Sequence, residues 1–193
     1  MNDLRAELLK AATGEILEIG FGSGLNLPFY PDETKRVVAV EPNQGMQRKA
    51  RKRERASHVQ VEWHFVKGEE LPFPSASFDT VVSTLTLCSL RNASGVLAEI
   101  GRVLKPSGSF LFLEHGLDPN PKTQRFQKWI DPIQKRFADG CSLTLEIDKL
   151  ISHNGFTIER MKTQHVRGPM NYKPYYWLGS ARRDVAEIRI ATA

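Results

Sequence analysis

Cysteine is scarce in this 193-residue chain: the only two are Cys88 and Cys141. Their spacing matches neither a paired-cysteine zinc signature nor a disulfide framework, so reduced thiols are expected and no metal is called for. No stretch of about 18 apolar residues occurs, so no transmembrane helix is expected. The first dozen residues scatter Asp3, Arg5, Glu7 and Lys10 among leucines, unlike the apolar centre of a signal peptide. A cytoplasmic address follows as the expectation, with peripheral membrane contact left open. Charge of one sign is not in large excess, since 27 Lys and Arg face 22 Asp and Glu for a net +5. Much of that surplus sits between Arg48 and Arg55, where no aromatic residue interleaves for base stacking. A solvated helix face is expected there, nucleic acid is not expected as a partner, and the partner class that remains is a small-molecule substrate.

What is present is an ordinary globular composition, 40% hydrophobic and 25% charged, enough for one domain over residues 1–193. The informative stretch is Glu15 to Gly24, an apolar run of strand formers ending in glycines at alternate positions, Gly20, Gly22 and Gly24. Glycine there lets a backbone turn sharply and press against a ligand. A second buried-strand pattern, Arg36 to Val40, ends in Glu41, about 20 residues beyond the first glycine. A carboxylate at that distance can accept both hydroxyls of a bound ribose. Dehydrogenases share this arrangement, but the spacing here is G-x-G-x-G rather than G-x-G-x-x-G.

Further strands are expected at 59–66, 78–83, 109–114, 156–166 and about 175–181, with helices at 3–12, 43–56, 92–104, 120–138 and 145–154. A helix is also expected to begin over 25–30, with free N–H groups facing a ligand. The 120–138 helix should kink at Asp131-Pro132 and lie over the site. Six or seven strands alternating with helices indicate a three-layer α/β fold. His115 ends a buried strand at the ligand edge, which suits a general base or an acceptor clamp. Asp139, beside Gly140 at a helix end, can orient an acceptor or His115 itself.

With Glu18 ahead of the turn, Pro42-Asn43 after the acid, Gly68-Glu69-Glu70-Leu71-Pro72-Phe73 and Phe78-Asp79-Thr80-Val81-Val82 further on, the order resembles the class I methyltransferases that use S-adenosylmethionine, of the methyltransferase-11 type. That resemblance implies a Rossmann-like, mostly parallel seven-stranded sheet in the order 3-2-1-4-5-7-6, its last strand antiparallel. It implies S-adenosylmethionine as cofactor and no catalytic metal. It also implies cofactor contacts at Glu18, Gly20, Phe21, Gly22, Gly24, Asn26, Glu41, Pro42, Gly68, Glu69, Thr84 and Leu85, with Gly68 and Glu69 beside the adenine. Phe21 and Tyr30 are the aromatic faces nearest in sequence that suit a sulfonium cation. The stretches Leu25 to Pro31, Thr84 to Ser89, Glu114-His115, Asp131-Pro132 and Asp139 to Thr144 look like those of the thiol methyltransferases of animal microsomes and their bacterial relatives. The acceptor implied is small and fairly lipophilic, with a thiol first. Phospholipid or quinone-type methylation, or a cofactor-binding partner subunit, are the alternatives.

Overall fold

The structure is a computed structural model, which describes residues 1–137, 140–166 and 173–184. Seven strands form one sheet in the order β3-β2-β1-β4-β5-β7-β6. They are β1 (Ile16–Ile19), β2 (Arg36–Val40), β3 (Gln60–His64), β4 (Phe78–Thr84), β5 (Leu104–His115), β6 (Phe156–His165) and β7 (Tyr175–Arg183). The first five run parallel, and β7 is antiparallel to both β5 and β6. This is the expected fold and strand order. β1 is buried along its whole length and β4 at every position but Asp79, as strands covered on both faces are, with Glu18, Thr80, Ser83 and Thr84 buried among the apolar positions. Alternation in β3 marks an edge strand, as the sheet order bears out.

One face of the sheet packs Leu17, Ile19, Val81, Phe110 and Phe112 against α3 (Ala93–Val103) and α5 (Ile147–Ser152). The other packs Ile16, Val37, Val82 and Leu111 against α1 (Asn2–Leu9) and Ala50 of α2 (Gly45–Ala56). Each large side chain so buried contributes about 1.5–3 kcal/mol, and together they make the three layers. The chain reversal beyond β4 and the ends of β1, β2 and β5 therefore face the same edge, where open parallel sheets bind ligands.

Four details differ from the sequence expectations. No helix begins at Leu25; only a 3-10 turn, Leu27–Phe29, forms, because Pro28 and Pro31 supply no N–H to continue it. α2 begins at Gly45 rather than 43, and the Asn43 side chain before it accepts from the Gly45 N–H at 2.9 Å. The helix expected over 120–138 forms as α4 (Pro121–Phe137) with Pro132 inside it, but the apolar stripe expected to lie over the site is exposed at Phe126, Trp129, Ile133 and Phe137, while Gln127 and Asp131 turn inward. Finally, β5 starts at Leu104 rather than 109: Leu104 pairs with Phe78 ahead of a register shift, so the 105–108 stretch is a strand irregularity, not a turn.

Candidate functional site

Backbone builds the first corner of the ligand edge. The N–H groups of Gly20 and Phe21 both donate to the Val40 carbonyl, so the chain leaves β1 pinned against the end of β2. Gly20, Gly22 and Gly24 all adopt positive φ, between 55° and 71°. At Gly20 a Cβ would overlap the side chain of Thr86, 2.1 Å from its Oγ1, whereas at Gly22 it would meet nothing closer than 3.9 Å. Gly22 thus borders open space. Its N–H donates to Glu41 Oε2 at 2.9 Å, and Asn43 N–H donates to Oε1 at 3.0 Å. Glu41 is held one strand away from the glycine turn, as the spacing requires of a ribose ligand. Pro42 beside it is exposed, Glu69 is half-buried, and Gly68 packs on Ile19 and Val96.

Beneath this corner lies a buried polar network. Glu18 accepts from Asn26 Nδ2 at 2.9 Å and from the Tyr30 hydroxyl at 2.6 Å. Asn26 Nδ2 and Arg5 Nη1 each donate to Thr84 Oγ1 at 3.1 Å, and Arg5 also donates to Asn26 Oδ1. Burial pushes the Glu18 carboxyl up to about 7, against the pull of Tyr30, Arg5 and Asn26, and the same desolvation lowers Arg5. Three residues expected at the site, Glu18, Asn26 and Thr84, are therefore brought together. Of the two aromatic residues, Phe21 packs edge-on against Trp63, ring centres 4.8 Å apart, and Tyr30 is buried on Glu18. Arg5 was missed, although a cation in the apolar face Leu4, Leu8, Leu9 of a short helix is a signal of a buried partner.

Side chains build the second corner. Glu114 is fully buried and accepts from Ser83 Oγ at 2.8 Å and from the N–H groups of Thr86, Leu87 and Cys88 at 3.1–3.3 Å. Desolvation raises its carboxyl even so. These bonds fix the 3-10 turn Leu87–Ser89 and the bend before it, where Leu85 takes φ +56° and donates its N–H to the Leu113 carbonyl at 2.7 Å. A leucine at positive φ persists only where its surroundings over-determine it, and such positions cluster at functional sites. Glu114 also went unassigned in the sequence, yet a carboxylate closing the run Phe110 to Leu113 is conspicuous because burying it unpaired is so costly.

His115 follows at the end of β5. Its Nδ1 lies 3.4 Å from Cys141 Sγ, its ring packs on Tyr176, and Cys141 Sγ lies 3.4 Å from Cys88 Sγ. The two thiols share a hydrogen bond that lowers Cys141 and raises Cys88, and the imidazole lowers Cys141 further. The fold thus brings the two cysteines together, both free thiols and both buried, although their spacing in sequence gave no sign of it. Asp131 secures the loop that carries Cys141, accepting from Ser142 Oγ at 3.1 Å and Leu143 N–H at 2.7 Å. Asp139 lies outside the described residues. Beside this group opens a cavity of about 800 Å³ lined by Leu87, Cys88, Ser89, Gly140, Ser142 and Leu145, among others.

A methyltransferase-domain family profile matches residues 17–112, the span holding the glycine turn, Glu41 and β4. Human thiol S-methyltransferase TMT1A is 35% identical over 162 residues, 82% of this chain and 65% of that protein. Rat thiol S-methyltransferase TMT1B is 35% identical over 176 residues, 88% of this chain and 69% of its own. The chain thus spans about two thirds of the length of these relatives. A solved Bacillus halodurans structure, described provisionally as a methyltransferase, superposes with a TM-score of 0.76 at 21% identity, covering 96% of this chain and all of that one, which shows the fold. The chain belongs to the S-adenosylmethionine-dependent methyltransferase family, and S-adenosylmethionine is its cofactor.

Proposed function

We propose that this methyltransferase acts on a small, fairly lipophilic acceptor, with a thiol as the favoured group. The observation that carries the methyl-donor side of the reading is the position of Glu41, whose carboxylate is fixed at the Gly22 N–H beside open space. In this reading Glu41 takes the ribose hydroxyls and Gly20, Gly22 and Gly24 border the methionine tail. Gly68, Glu69 and Pro42 flank the adenosine. Phe21, Leu85 and the Glu18–Asn26–Thr84 network line or support the methionine end. The cofactor supplies an electrophilic methyl on a sulfonium, so the protein's part is to hold an acceptor in line with it. His115, Cys88 and Cys141 stand on the acceptor side, with the 800 Å³ cavity as the route in; Asp139 is assigned there from sequence alone. The thiol preference draws on the two thiol S-methyltransferases that match most of the chain. It is chemically reasonable because an ordinary thiol of pKa about 8.5 is partly ionised near neutrality.

The exposed stripe of α4 favours an acceptor met at a lipid surface. Phe126, Trp129, Ile133 and Phe137 recur at helical spacing, with Lys122, Arg125, Lys128, Lys135 and Arg136 around them, the pattern of an interfacial helix. Among the described residues no helix is long and apolar enough to cross a membrane.

The test is calorimetry with S-adenosylhomocysteine, followed by radiolabelled methyl transfer to a panel of thiols, amines and phenols. Glu41→Ala should weaken S-adenosylhomocysteine by about 10–100-fold, the worth of charge-assisted hydrogen bonds, without unfolding the protein. Unchanged affinity in that variant, or transfer to amines but never to thiols, would sink the reading.

A further inference from the structure

Cys88, His115 and Cys141 each offer one ligand atom, and the three atoms lie within 4.8 Å of one another. We propose that they form a binding site for a thiophilic divalent cation of the zinc type. This goes beyond the methyl-transfer reading, and cation binding does not depend on it.

Geometry comes first. Cys141 Sγ is 3.4 Å from both Cys88 Sγ and His115 Nδ1. With the third side no longer than 4.8 Å, the point equidistant from the three atoms is at most about 2.4 Å from each, half the longest side of what is then nearly a right-angled triangle. Zinc bonds run about 2.3 Å to sulfur and about 2.0–2.1 Å to imidazole nitrogen. A tetrahedral ion with these bond lengths holds sulfur and nitrogen about 3.6 Å apart, so side-chain rotation that closes the third side by up to about 1 Å completes the site.

Donor chemistry comes second: two thiols and an imidazole select zinc-like cations over magnesium or calcium, which want oxygen. Preorganisation is third. The ligands come from three separate segments, and each is anchored independently of any ion. Cys88 N–H is bound to Glu114 and its carbonyl accepts from Ser142 N–H at 2.7 Å. The Cys141 loop is tied to Asp131, and His115 ends a central strand under Tyr176. Such outer anchoring orients metal ligands and sets their affinity.

Three protein ligands leave a fourth place, as in catalytic rather than structural zinc sites. Cys88 lines the 800 Å³ cavity, so a thiol entering there would complete the tetrahedron. Its S–H bond breaks, the metal–sulfur bond forms, and the proton leaves to solvent. That last use, alone, rests on the thiol reading.

The experiment takes the full chain, reduced and stripped with a chelator, and titrates it with Co²⁺ as the spectroscopic probe. One equivalent should give a thiolate-to-cobalt charge-transfer band with the intense visible bands of a tetrahedral ion. Zn²⁺ should displace it and shield both thiols from iodoacetamide. Cys88→Ser, Cys141→Ser and His115→Gln should each weaken Co²⁺ binding beyond the ~10–100-fold that loss of an outer-shell partner costs, and His153→Gln should leave it unchanged. Circular dichroism checks that each variant is folded, and the alkylation shield on the unaltered protein stands even if one is not. A six-coordinate cobalt spectrum with both thiols still reactive overturns the site, as does full affinity in Cys88→Ser. Growth of the charge-transfer band on adding a small thiol supports the fourth-ligand role, and an unchanged band overturns that role alone. Neither outcome touches the S-adenosylhomocysteine measurement, so the two readings fail separately.

Discussion

At the β1–β2 corner the groups that border open space are chiefly backbone, a glycine turn and a Gly22 N–H, with one side-chain carboxylate lodged against them. At the β4–β5 corner the same edge is made of side chains drawn from residues 83–89, 114–115 and 141–143, held by two buried carboxylates, Glu114 and Asp131. A corner made of backbone should lose ligand before it loses stability, because glycine contributes little packing. A corner made of buried side chains should do the reverse, since each truncation strands polar partners away from water.

The largest expected effect tests the second half of that contrast. Glu114→Ala leaves Ser83 Oγ and three N–H groups unpaired and frees Leu85 from the arrangement that holds it at positive φ; it should cost about 3–5 kcal/mol in urea unfolding. A loss under 1 kcal/mol would erase the distinction between the corners.

Next is the buried network joining them. The native Glu18 carboxyl sits at about 7 rather than 4.5, so the folded protein holds more protons than the unfolded chain between those values. Stability contributed by this group is therefore highest below about 4.5, falls as pH rises, and is fully lost above about 7. The fall is on the order of 3 kcal/mol, and Glu18→Gln should flatten it relative to the parent protein. Parallel stability–pH curves for the two proteins would refute the shift.

A smaller effect probes the backbone corner. Gly22→Ala puts a side chain on φ +55° but into open space, so it should cost only about 1–2 kcal/mol of stability while weakening S-adenosylhomocysteine tenfold or more. Smallest is Trp129→Ser on α4: the indole is 70% exposed, so stability should stay within about 0.5 kcal/mol. Binding to anionic phospholipid vesicles should nonetheless drop; equal vesicle binding would remove the interfacial reading of that helix.

The same contrast explains what could be read before folding. Gly20, Gly22, Gly24 and Glu41 act through local chain geometry and a fixed offset between two strands, so their pattern survives in linear order. The sheet order was legible too, because apolar runs separated by helices, together with the family likeness, leave few arrangements. The Cys88–His115–Cys141 cluster was not, since nothing in the spacing of two cysteines reveals that the β4 bend and the loop after α4 meet. Arg5 left only a partial trace: a cation in the apolar face of α1 says that a buried partner exists, but Asn26 and Thr84 are too distant in sequence to be named from it. The α4 stripe misled in the opposite direction. Its periodicity is real, but Gln127, donating to the Gly116 carbonyl and accepting from Asp118 N–H, and Asp131, tied to the 142–143 loop, decide which side turns inward.

Arg5 also makes α1 more than a cover. Because its guanidinium bridges Asn26 and Thr84, the helix is bolted to the ends of both β1-side and β4-side segments, and it cannot peel away without uncoupling them. Amide deuterium uptake along residues 4–9 should therefore slow when cofactor fills the neighbouring crevice, making that short segment a remote gauge of occupancy.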